Sequence, residues 1–145
     1  MLLGLFLAFA MQAPGQPNLL RGPDTMGTVV VARDMMSQID EPKQVVARTA
    51  AEWAALWRQH AGESAAPKVD LGTRTVVAVF LGSRPSAGYA VDITGTSQTG
   101  GVMTVKWSER KPDPGDISAQ VLTSPAVIAT IPKFAGAIRF EKVTR

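Results

Sequence analysis

The stretch RTVVAVFLGSRPSAGYAVDIT, Arg74 to Thr94, limits what this chain can fold into more than any other. Thr75 to Leu81 runs without a polar interruption, which predicts a strand covered on both faces. From Tyr89 the pattern alternates, with Tyr89, Val91 and Ile93 opposed to Ala90, Asp92 and Thr94, as in a strand with one wet face. Between the two lies Gly82 to Gly88, a loop rich in glycine and proline, and it is the place where function is expected.

The other segments fall into place around this pair. Thr28 to Arg33 and Gln44 to Arg48 read as short β-branched strands. Thr49 followed by Glu52 forms a capping box and Gly62 supplies a terminator, so a helix is expected from Ala50 to Ala61. Its Trp53, Leu56, Trp57 and His60 recur at helical spacing and share a face that must lie on the sheet. Gly100-Gly101 predicts a hairpin between the Tyr89 strand and Val102 to Ser108, in which Met103, Val105 and Trp107 share a face. Glu109 to Asp116 reads as a solvated turn. Ser118 to Leu122, Ala126 to Ile131 and Ala137 to Val143 read as further strands, the last with Ile138 and Phe140 opposed to Arg139 and Glu141. The expected fold is mainly β: an antiparallel sandwich-like domain of seven or eight short strands with one helix packed against it.

A chain of 145 residues, 46% hydrophobic and 19% charged, suits a single globular domain. Its net charge of +3 is no nucleic-acid signature, because residues 14 to 100 carry 8 basic and 8 acidic side chains and the surplus is scattered over the last third. With no cysteine there is no disulfide, no thiol nucleophile, no Cys-based zinc site and no lipidated cysteine. The leader MLLGLFLAFAMQA is apolar for about ten residues, short of the roughly 20 needed to span a bilayer. It fits the core of a secretory signal with small residues at its exit, although the usual positive start is missing. Residues 1–13 are therefore expected to be a signal peptide, 14–26 a flexible linker and 27–145 one β domain. The expected location is periplasmic or extracellular, with membrane contact only through an uncleaved leader.

Catalytic constellations find little support. His60 is the lone histidine and sits in the apolar helix stripe, so any Ser-His-Asp site must use it. Asp34, Asp40, Asp70 and Asp92 stand singly rather than as a metal-binding group. GSRPSAG has the wrong glycine spacing for a nucleotide loop and leads into a strand. No enzyme activity, cofactor or metal is expected, and binding is the stronger reading. Pro85 and Gly88 preset the loop's shape, and Arg84 and Tyr89 are residue types that carry interface energy. The expected partner-binding residues are Arg84, Pro85, Ser86, Ala87, Gly88 and Tyr89, with Lys111 and Pro112 of the neighbouring turn.

The runs AEWAALWRQH, VDLG, LGSRPSAGYAVDI, PDPGDISAQVLTSPAVIATIPK and RFEKV, in that order, resemble the PrcB family, whose C-terminal domain is named from a subunit of a secreted bacterial protease complex. The resemblance covers Val29 to Val143 and implies an exported accessory domain associated with a peptidase. Lipid anchoring, found in many members, is not implied here because the chain has no cysteine. A looser resemblance links Pro85-Ser86-Ala87-Gly88-Tyr89 to the P-T-T-G-Y loop of chagasin-like inhibitors of cysteine peptidases. It implies an alternative role as a peptidase inhibitor, with Ser86 and Ala87 entering the cleft; Arg84 stands where those inhibitors have Asn, and their Arg-Pro-Trp loop has no counterpart. A third alternative is an envelope structural module.

Overall fold

The computed structural model describes residues 27–144, so the leader and linker expectations lie outside the described residues. Seven strands and one helix follow in the order β1 (Val29–Asp34), β2 (Lys43–Ala47), α1 (Ala50–Ala61), β3 (Arg74–Phe80), β4 (Ala90–Thr99), β5 (Val102–Arg110), β6 (Ala126–Pro132) and β7 (Ala137–Lys142). One sheet has the order β1-β6-β3-β2 and is antiparallel throughout. The second has the order β4-β5-β7, with β7 running parallel to β5.

The unbroken apolar run of β3 is explained by layering. Val76, Ala78 and Phe80, with Ala126 and Ile128 of β6, meet Trp53 and Leu56 of the helix. The alternate residues Val77, Val79, Val127, Ala129 and Ile131 face the second sheet, where they meet Val91, Val105, Ile138 and Phe140. The two central strands are covered on both sides, so their sequences carry no polar alternation.

The helix is set by its ends. Thr49 Oγ1 accepts the Glu52 N–H at 3.1 Å, while Glu52 Oε1 accepts the Thr49 and Arg48 N–H groups at 3.3 and 2.7 Å. Such a reciprocal cap contributes about 1 kcal/mol. At the far end the Gly62 N–H returns to Arg58 O at 2.9 Å with a φ of 65°. Trp53 is buried and Trp57 half-buried, and both satisfy their indole donors, on Pro67 O and Ser64 O.

Two expectations need correction. Ser118 to Leu122 is not a strand: it follows the loop after β3 through scattered bonds and joins no ladder. Tyr89 stands just before β4, which begins at Ala90.

Candidate functional site

The loop after β3 does not project freely. It is sewn to the segment 117–124. Arg84 and Thr123 exchange both backbone hydrogen bonds, at 2.7 and 2.9 Å, and the Ala87 N–H donates to Ala119 O at 3.0 Å. Thr123 Oγ1 donates to Ser86 O at 3.0 Å, so the backbone at Ser86 and Ala87 is held by its own domain. Gly82 has a φ of +82°, and a Cβ there would lie 2.8 Å from the Pro42 backbone nitrogen, which leaves room for no other residue. Gly88 backs against the next turn, where a Cβ would meet Pro112 and Ser118 at 3.0 Å. The two expected loops are therefore neighbours, with Pro85 and Lys111 exposed and Pro112 half-buried.

Arg84 acts as an internal clasp. Its Nε donates to Glu109 Oε2 at 2.7 Å and its Nη2 to Oε1 at 3.2 Å, a two-pronged pair from the loop to the end of β5. Nη1 donates to Leu81 O and Ser83 O. The Glu109 side chain is 4% exposed, and Lys142 Nζ reaches it at 3.3 Å. The Arg84 hydrogen bonds hold the Glu109 carboxyl below its usual range, against the opposing effect of burial. The guanidinium also lies 5.9 Å from the Tyr89 ring centre, and that ring remains half-exposed.

What the sequence reading missed is the apolar character of this end of the domain. Ser124 N donates to Met35 O, and Met36 pairs with Ser124, so the turn after β1 joins the same seam. Met35, Met36, Ile117, Val121 and Leu122 are all exposed, and they belong to these stitched segments. The signal was present in the sequence: a Met-Met pair in a turn, and apolar residues in a segment with no strand partner. Beside them opens a cavity of about 470 Å³ lined by Arg33, Met35, Tyr89, Val91, Arg110 and Ala126, among others.

A Ser-His-Asp grouping does form, but not as an open site. Ser37 Oγ lies 2.8 Å from His60 Nδ1, and Asp34 Oδ2 lies 3.8 Å from Nε2. His60 is 2% and Ser37 6% exposed, and Ser37 Oγ already accepts the Ile39 N–H at 3.1 Å. We assign the Ser37 hydroxyl as donor to an unprotonated Nδ1, which puts the ring proton on Nε2, toward Asp34. Burial lowers the His60 pKa below 6.5, with Asp34 opposing. The Gln38 N–H donates to His60 O at 2.9 Å, so the grouping pins the turn after β1 to the end of the helix. Among the described residues no three metal-ligating side chains cluster, and no helix is long and apolar enough to cross a membrane.

Two facing sheets with a helix covering one of them define a mainly β, sandwich-like domain. The family model described as PrcB C-terminal matches residues 75–132, from β3 through β6, including the sewn loop, Glu109 and the 117–124 segment. That match supports the resemblance to the PrcB family read from the motifs. No curated protein and no solved structure matches the chain.

Proposed function

We propose that this is an exported, non-enzymatic, protein-binding domain, an accessory to a secreted protease complex, and that it docks its partner with the end built from the 35–37 turn, the 82–89 loop and the 111–122 segment. The observation that carries the proposal is the concentration of exposed large apolar side chains there, at Met35, Met36, Ile117, Val121 and Leu122. Uncovered apolar residues grouped on a fixed backbone favour association, since covering them releases water at little ordering cost. Tyr89 and Lys111 then belong to the docking surface, while Arg84 supports it from beneath. The backbone bonds at Ser86 and Ala87 disfavour insertion of that loop into a peptidase cleft. The cover over Ser37 and His60 favours a structural role for that grouping.

A photo-crosslinking residue placed at Leu122 in the source cell tests this. The expected outcome is one dominant protein adduct, containing a peptidase or a subunit that co-purifies with one, and no such adduct from the same residue at Val102. Val102 is exposed too, but it lies at the far end of the β4–β5 hairpin. Equal labelling from both positions, or none from Leu122, would rule the docking surface out.

A further inference from the structure

The cavity beside the apolar end has a chemistry of its own. It opens between β1 and β4, each an edge strand of its sheet among the described residues. Its floor includes Val91 and Ala126, both buried, and its walls include Met35 and the Tyr89 ring. Arg33 crosses from β1 to bond Asp92 and Val91 O on β4 and so ties the two edges together. Asp34 is engaged on both oxygens, with the Met36 N–H on one and the His60 ring near the other. Arg110, at the rim, is exposed and forms no ion pair among the described residues. The cavity therefore offers apolar floor and walls with the Arg110 guanidinium at its rim, where no carboxylate of the described residues reaches it within ion-pair distance.

Resting on the docking reading above, we propose that this cavity takes an apolar side chain from an extended segment of the partner polypeptide, with a neighbouring Asp or Glu of that segment paired to Arg110. A volume of about 470 Å³ admits a large aliphatic or aromatic side chain. Edge strands on both sides suit an extended chain, which can run alongside them. A guanidinium with free donors binds a carboxylate in two-pronged fashion, which fixes the segment's register.

Selection of a phage-displayed random decapeptide library against the full chain, with anisotropy measurements on synthesised winners, tests the proposal. Recovered peptides are expected to carry Asp or Glu within two residues of Leu, Ile, Phe or Trp. Arg110→Ala is expected to weaken them at least tenfold, and Arg110→Glu to weaken them further and restore binding to versions carrying Lys in place of the acid. Winners without an acidic residue, winners indifferent to both substitutions, or an absence of winners would each overturn it. The Leu122 crosslink is read separately, so this acidic-apolar preference can fail while the docking surface stands.

Discussion

Arg84→Met is expected to lower the unfolding free energy by roughly 2–3 kcal/mol, as measured by urea denaturation near neutral pH. The methionine replaces the arginine stem but none of its donors. It leaves a carboxylate that is 4% exposed with Lys142 as its remaining ion-pair partner. Breaking a buried pair commonly costs about 3–5 kcal/mol, and the partial exposure of Arg84 together with the Lys142 contact reduces that figure. The pH dependence carries the same signature. Because the folded Glu109 pKa is depressed below 4.5, its stabilisation is fully present above that value and is lost as pH falls through the folded pKa. Arg84→Met should flatten that acid limb, since it removes the main cause of the depression.

His60→Ala is expected to cost about 3 kcal/mol. The ring packs edge-on to Trp57 at 5.0 Å between centres and lies 5.9 Å from Phe80, so its removal opens a void behind the helix. It also leaves the buried Ser37 hydroxyl without its ring partner. His60→Gln keeps a polar side chain near Ser37 and should recover part of the loss. The sign of the pH effect follows from the lowered pKa. The ring stays neutral in the fold below the pH at which an unfolded histidine protonates, so stability is complete above 6.5 and declines as pH falls from there through the folded pKa. Urea denaturation at several pH values should find that decline in the parent protein and not in His60→Gln.

Both effects lie at residues whose partners are distant in sequence, and this explains what could be read in advance. The helix was legible to the residue because its signals are local: Thr49, Glu52 and Gly62 act within their own turns. The burial of β3 on both faces was legible because every position from Thr75 to Leu81 reports it. In β7 the alternation of Ile138 and Phe140 with Arg139 and Glu141 was legible too. Its parallel pairing with β5 was not, since β6 of the other sheet intervenes in the chain. Ser118 to Leu122 has strand-like composition but no partner strand, and its bonds go to the 82–89 loop instead.

At the candidate site, residue type alone suggested an outward-facing Arg84. Its carboxylate partner stands 25 positions later, in a region read as a solvated turn, so the clasp left no local mark. The neighbouring placement of the loops carrying Tyr89 and Lys111 follows from the contact of Gly88 with Pro112, which a linear pattern does not record. The same holds for Met35 and Met36, which reach the site through a pairing with Ser124.

The central claim is that the partner is held by the apolar end, and its most direct measurement is the affinity of the Leu122-crosslinked partner for the Met36→Asp, Leu122→Asp double variant. Both side chains are more than half exposed, so the melting temperature should stay within about 2 °C of the parent. Affinity should fall at least tenfold, as expected when charges replace apolar anchors at the centre of an interface. Undiminished affinity in a variant that melts normally would contradict the account.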